Sequence, residues 1–131
     1  MKITSTGLYR ISFQTLQNAG INPSSIAPQD FQIFGKEKEQ PIRVEDGGDG
    51  IFGPGDFIEF YAQRNDGWLD SLLYDDPNTI SNPAYSLYND TLVYFLTWRS
   101  GNNKRFVQET DVNFGIYTPA NFFWQRSAIN Y

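Results

Sequence analysis

Apolar and polar residues alternate along several short stretches of this chain. In Leu8–Phe13 the odd-numbered residues are apolar, and in Phe57–Ala62 the even-numbered residues are apolar. Successive side chains of a β-strand point to opposite faces, so each pattern predicts a strand with at least one buried face. On this reading Ile58 and Phe60 face the core, while Glu59 lies on the opposite side.

A short helix is predicted directly after the first strand. Leu16 follows Phe13 by three residues within the segment Gln14–Ala19, which suits one helical face. Gly20 stands where a left-handed C-terminal cap is needed, and Pro23 prevents continuation. The pattern therefore indicates a helix of one or two turns.

Two further strands are expected at Phe31–Phe34 and Pro41–Glu45. They flank the charged segment Gly35–Gln40, so they are predicted to form an exposed hairpin.

Thr91–Trp98 is almost continuously apolar, which favours a central strand with both faces covered. Ser100–Asn103 is then expected to turn the chain into Lys104–Glu109, its antiparallel partner. On this interpretation Trp98 belongs to the core. The long segment Gln63–Asn89 lacks a sustained period and is predicted to be an ordered excursion.

These elements predict an all-β fold with one short helix near the N-terminus. At least six short strands without strand–helix alternation favour an antiparallel β-sandwich of the jelly-roll type. The 131 residues are enough for one core, so residues 1–131 are expected to form a single domain. The aromatic content of 17% agrees with a strand-rich chain.

The amino-acid composition limits the catalytic and metal-binding side chains that the chain can offer. The chain contains no His and no Cys, which removes the commonest general base, the usual thiol nucleophile and the best transition-metal ligands. A formal charge of −5 argues against nucleic-acid binding, which depends on phosphate neutralisation. Neither a signal-peptide core after Met1 nor an apolar run of membrane-spanning length is present in the sequence. The chain is therefore expected to be cytosolic or a piece of a longer exported protein.

Asp46, Asp49 and Asp56 surround a glycine-rich loop. Their carboxylates could supply hard oxygen ligands to Ca²⁺, although the spacing differs from that of an EF-hand. The alternative is that the Asp-Gly steps provide turns with positive φ ahead of a strand.

Acidic pairs raise a separate hypothesis. Asp56 with Glu59, or Asp66 with Asp70, could flank a glycosidic bond as acid and nucleophile. Solvated acidic residues are common in a chain of this charge, so the pairs are not distinctive.

Aromatic residues in irregular segments are candidates for a binding surface. Trp68, Trp124, Tyr85 and Tyr88 could form a platform on which a sugar ring or a peptide stacks. The alternative is simple packing in the core. A sheet edge could also accept a peptide by strand addition, which leaves no signature in a sequence.

The order of several segments resembles one known family. Gly7–Phe13 is followed by Leu16–Ile21, Phe31–Gly35, the block Gly48–Tyr61 and then a tryptophan. This order is similar to the non-catalytic β-rich domain that precedes the peptidase domain in gingipain-family cysteine peptidases, including the type IX secretion sortases of Bacteroidetes. The block Gly48–Tyr61 is the most specific part of the resemblance.

The resemblance implies a parent protein that is secreted or exported to the cell surface or outer membrane. Sortase members of the family remove a C-terminal targeting domain from cargo proteins and attach the cargo to a surface glycolipid. The family's catalytic His and Cys lie in the downstream peptidase domain, so no catalytic role passes to this chain. It would pack against that peptidase domain or help to present cargo, and the native reading frame is expected to continue past Tyr131.

A carbohydrate-binding module is the second hypothesis. It is motivated by the expected sandwich, the acidic charge, the calcium candidate and the tryptophans outside regular strands.

Overall fold

The computed structural model describes residues 1–79 and 86–110, together with Gly115 and Thr118. Eight strands and one helix occur in this part of the chain: β1 (Lys2–Ile3), β2 (Gly7–Ser12), α1 (Phe13–Asn18), β3 (Phe31–Gly35), β4 (Lys38–Gln40), β5 (Ile42–Glu45), β6 (Phe57–Ala62), β7 (Leu92–Val93) and β8 (Phe95–Trp98). Short 3-10 turns cover Pro23–Ser25, Pro28–Asp30, Asp70–Leu73 and Pro77–Thr79. No helix among the described residues is long and apolar enough to cross a bilayer.

The strands form three antiparallel sheets. One sheet has the order β2-β6-β5, the second has the order β4-β3-β8, and β1 pairs with β7 in the third. The prediction of an all-β, antiparallel fold with one short helix is confirmed. The arrangement of these sheets as a jelly-roll sandwich stays a prediction.

One hydrophobic core joins the sheets. Its fully buried members come from β3, β5, β6 and the glycine-rich loop: Phe31, Ile33, Ile42, Phe52, Ile58, Phe60 and Ala62. The Phe52 ring meets the Phe31 ring edge-on, with 5.0 Å between their centroids. Packing of aromatic rings in this way stabilises the core beyond the area it buries. The core-facing side predicted for Phe57–Ala62 is confirmed, and so is the prediction that Leu8–Phe13 has a buried face.

The capping of α1 follows the sequence prediction. The Ser12 side chain accepts a hydrogen bond from the Thr15 N–H at 3.2 Å, which satisfies one of the free donors of the first turn. Gly20 has a φ of 80°, and the Ile21 N–H donates to the Leu16 carbonyl at 3.1 Å. Left-handed geometry at this position is the usual C-terminal stop of a helix.

The predicted hairpin between Phe31–Phe34 and Pro41–Glu45 is wrong. β3 turns back after only two residues and pairs with β4, with Gly35 opposite Lys38. Lys36 and Glu37 form this tight turn with φ values of 50° and 60°. Pro41 then separates β4 from β5, which pairs with β6 in another sheet. A two-residue turn thus replaces the longer connection that the charged segment suggested.

Thr91–Trp98 is not one central strand. It divides at Tyr94 into β7 and β8, and β8 is the outermost strand of its sheet among the described residues. The side chains of Phe95 and Trp98 are 65% and 47% exposed, so the assignment of Trp98 to the core was wrong. The apolar residues of this run therefore lie on both faces of β8: Leu96 packs against the core, whereas Phe95 is exposed on the other face.

Lys104–Glu109 does not return alongside β8. Asn103 instead donates its side-chain amide to the carbonyls of Gln29 and Arg99, both at 2.8 Å, which directs the chain away from β8. Arg105 then forms an isolated parallel bridge with Ile42. The prediction of an antiparallel pair between Thr91–Trp98 and Lys104–Glu109 was wrong. The Asn103 hydrogen bonds instead fix the chain where it leaves β8 and runs toward Ile42.

Candidate functional site: an aromatic groove

A groove of 370 Å³ lies over the outer face of the sheet that contains β3 and β8. We call it the Trp68 groove, and its walls come from the β3–β4 turn, the 65–69 loop and β7–β8: Phe34, Gly35, Lys36, Glu37, Asn65, Trp68, Leu69, Thr91, Leu92, Val93 and Phe95. Its lining combines aromatic and aliphatic side chains with the charged side chains of Lys36 and Glu37. This composition is typical of sites that bind a protein segment or a small molecule.

The strand register places the two phenylalanines of the groove side by side. Phe34 lies directly opposite Phe95 in the β3–β8 ladder. Val93 and Phe95 are two positions apart, so their side chains point to the same face, while Tyr94 between them is buried in the core. A rigid pair of strands therefore presents apolar side chains outward at fixed spacing.

Hydrogen bonds anchor the 65–69 loop at Asn65 and fix its turn internally. The Asn65 N–H donates to the Asp90 carbonyl at 3.0 Å, and its side-chain amide donates to the Asn89 carbonyl at 2.8 Å. Gly67 has a φ of 81°, and the Trp68 N–H donates to the Asp66 carboxylate at 3.3 Å. These bonds hold the half-buried Trp68 against the groove.

An ion pair joins Lys36, which lines the groove, to Asp66. Lys36 Nζ lies 2.5 Å from Asp66 Oδ2 and 3.3 Å from the Gln63 side-chain oxygen. Burial raises the pKa of Asp66, but the hydrogen bond and charge of Lys36, together with the N–H groups of Asp66 and Trp68, outweigh it and leave the pKa below its usual value. Asp66 is therefore an anion fixed beside the groove.

The predicted aromatic platform is only partly brought together. Trp68 lines the groove, whereas Tyr88 is 69% exposed and is not among the groove's lining residues. Tyr85 and Trp124 lie outside the described residues. Sequence reasoning missed Phe34 and Phe95, because a sequence does not show whether another layer covers the face of the sheet on which they lie.

The three acidic candidates for calcium each bond to a backbone amide of their own loop. Asp46 accepts from the Gly48 N–H at 3.1 Å, Asp49 from the Ile51 N–H at 2.9 Å, and Asp56 from the Gly53 N–H at 2.6 Å. The neighbouring glycines have positive φ: Gly47, Gly48, Gly50 and Gly55. This geometry agrees with the turn-forming alternative. The described residues contain no group of three metal-ligating side chains, and the calcium hypothesis stays a prediction.

Glu59 and Asp66, which belong to the two acidic pairs considered for a glycosidase, both form ion pairs. Glu59 accepts from Arg10 at 2.7 Å and lies 3.9 Å from Arg43. Arg10 in turn covers the Phe57 ring, with 3.8 Å between the guanidinium carbon and the ring centroid. At Asp66 the pKa is lowered, which is the reverse of what a general acid in a glycosidase needs.

No protein-family model matches the chain, and no curated protein or solved structure matches it either.

Proposed function

We propose that this chain is a non-catalytic interaction domain of a gingipain-like or type IX sortase-like cysteine peptidase, and that it docks against the peptidase domain or presents cargo. The Trp68 groove carries this proposal. It brings Phe34, Trp68 and Phe95 together in one lining with the charged residues Lys36 and Glu37. Aromatic anchors inside a polar rim are the usual composition of a protein-binding surface.

Two further observations support the proposal. The chain has no Cys, so it lacks the nucleophile of a cysteine peptidase. The block Gly48–Tyr61, which carries the resemblance, supplies Phe52, Ile58 and Phe60 to the centre of the core. These residues of the block serve the core of the fold, so we expect the domain to bind its partner through other residues on its surface. In line with the resemblance, we assign the parent protein to the cell surface, the outer membrane or the secreted fraction.

The first experiment uses the full native reading frame. It is expressed and tested for cleavage of a reporter that carries a C-terminal secretion domain, with the 131-residue chain as the control. We expect cleavage by the long form alone, and we expect an alkylating agent to abolish it. A reading frame that ends at Tyr131, or a downstream domain without a His and a Cys, would contradict the proposal.

The docking face has its own test. Phe95→Ser is expected to weaken the association of this domain with the peptidase domain by about tenfold, since truncating an interface anchor costs more than about 1 kcal/mol. Phe106→Ser is the matched control, because Phe106 is also exposed but lies outside the Trp68 groove. Equal effects of the two substitutions would remove the groove from the interface.

A carbohydrate-binding module is the second candidate, and one feature of the groove favours it. Trp68 lines the groove together with Lys36, Glu37 and Asn65, and an aromatic ring in the same groove as polar groups suits the stacking of a sugar. An oligosaccharide panel should then quench tryptophan fluorescence, and Trp68→Ala should abolish the quenching while the Tm falls by only a few degrees. No quenching across a broad panel would exclude this function.

A further inference from the structure

The outer edge of β8 carries unpaired backbone groups. The Arg99 N–H donates to the Asp30 carbonyl at 2.9 Å, in line with the β3–β8 register. Along an antiparallel ladder, hydrogen-bonded residue pairs alternate with pairs that are not hydrogen-bonded. Thr97 and Phe95, two and four positions before Arg99, therefore also bond toward β3. The N–H and C=O groups of Leu96 and Trp98 must then point to the opposite edge. No described residue bonds to them there.

The same edge already accepts a strand just before β8. β1 pairs with β7 in antiparallel register, and the Tyr94 N–H donates to the Met1 carbonyl at 2.8 Å. Tyr94 and Leu96 are two positions apart, so their backbone groups face the same side. A segment that extended β1 beyond Met1 in the same antiparallel register would therefore hydrogen-bond first to Leu96 and then to Trp98.

An apolar pocket of 240 Å³ opens beside this edge, between α1 and β8. Its lining is largely aliphatic and includes Ile11, Leu16, Ala19, Ile21 and Leu96. Side chains directly opposite each other in a sheet share a face. A residue paired with Leu96 would therefore direct its side chain to the face on which Leu96 packs, where the pocket lies.

We propose that β8 binds an extended peptide strand in antiparallel orientation, with an apolar residue opposite Leu96 whose side chain enters this pocket. Backbone hydrogen bonds to Leu96 and Trp98 would supply affinity, and the pocket would supply specificity. β8 has neither a charged residue nor a proline, the features that usually protect an outer strand from pairing. The inference stands apart from the proposed function, because it rests on the strand edge and not on the Trp68 groove.

A tethered peptide tests this directly. The sequence Thr-Ile-Thr is added ahead of Met1, so that the register of β1 places its isoleucine opposite Leu96. Amide hydrogen exchange of Leu96 is then measured by NMR. We expect the exchange rate to fall about tenfold or more, because the amide gains a hydrogen-bonded partner. The Phe95 amide, which bonds toward β3, should be unchanged.

Three variants separate strand addition from a general effect of the extension. Thr-Asp-Thr should give little protection, because it would bring a charge into the apolar pocket. Ala19→Leu fills the pocket and should reduce the protection given by Thr-Ile-Thr. Asn18→Leu adds the same side chain to α1 outside the pocket and should leave the protection intact.

Two results would overturn the inference. The first is a Leu96 amide that stays unprotected with Thr-Ile-Thr in place, since the edge then accepts no strand. The second is a Leu96 amide that is already protected in the protein without an extension. Protection that falls on dilution would assign the edge to a second copy of the chain, and protection that does not would assign it to another segment of the same chain.

Discussion

The ring of Tyr94 lies directly over Gly35, where a side chain would otherwise stand. A Cβ atom built on Gly35 would be only 2.2 Å from Tyr94 Cε1. The Tyr94 hydroxyl accepts a hydrogen bond from the Gln63 N–H at 2.9 Å, and its ring packs 5.8 Å from that of Phe60. Because Gly35 has no side chain, the ring of Tyr94 can pass β3 and reach the backbone of Gln63.

Gly35→Ala should destabilise the protein strongly for this reason. Tyr94 is buried and hydrogen-bonded, so it cannot move aside without loss, and overpacking of this kind costs about 1–3 kcal/mol. Urea unfolding should show a lower midpoint with an unchanged slope. Gly7→Ala is the matched control, because nothing lies within 4 Å of a Cβ at that position. Equal destabilisation by the two substitutions would contradict the steric explanation.

The sequence was most informative where one face of an element is buried. The orientation of Ile58 and Phe60 in β6 was predicted correctly, because a strand of period two with one buried face allows no other register. Gly20 likewise marked the end of α1, since few other residues adopt its backbone geometry.

Pairing partners could not be predicted in the same way. The assignment of Thr91–Trp98 failed because apolar residues on the outer face of β8, such as Phe95, look the same in sequence as residues covered by another layer. The Trp68 groove depends on that exposure, so only Trp68 itself was foreseen. The hairpin failed because Lys36 and Glu37 adopt positive φ without the Asn or Gly that normally announces such a turn.

Glu37→Gly should stabilise the protein. Glu37 has a φ of 60°, and a left-handed residue other than glycine costs about 1–2 kcal/mol. Glycine removes that cost but loses more freedom on folding, so we expect a net gain of about 0.5–1 kcal/mol. Thermal unfolding would show it as a higher Tm. Glu39→Gly, in β4, should instead lower the Tm, because glycine weakens a strand. A lower Tm for Glu37→Gly would show that the turn is not strained.

The ion pair between Lys36 and Asp66 should make stability depend on pH. The folded pKa of Asp66 is below its usual value of 3.8, so its contribution is fully present above that value and is lost as the pH falls through the folded pKa. Asp66→Asn should therefore lower the Tm at pH 7, with a difference from the unsubstituted protein that shrinks below about pH 4. The pair is partly exposed, and its effect should be small, within about 1 kcal/mol.

Salt provides the control for this prediction. At an ionic strength of about 1 M the Debye length is near 3 Å, so the Coulomb part of the difference should shrink at pH 7 as well. A difference between Asp66→Asn and the unsubstituted protein that is constant from pH 7 to pH 3 would show that the ionisation of Asp66 does not contribute to stability.

Calcium should leave the thermal stability unchanged if Asp46, Asp49 and Asp56 serve only as turn residues. Each carboxylate already accepts a backbone N–H within its own loop. Bound calcium would add about 2.7 kcal/mol at a hundredfold excess over the dissociation constant, which would raise the Tm by several degrees. The measurement compares Tm in EDTA with Tm in millimolar CaCl₂, with MgCl₂ as the control for ionic strength. A rise specific to calcium that disappears in Asp49→Asn would establish a metal site and reject the turn-only role.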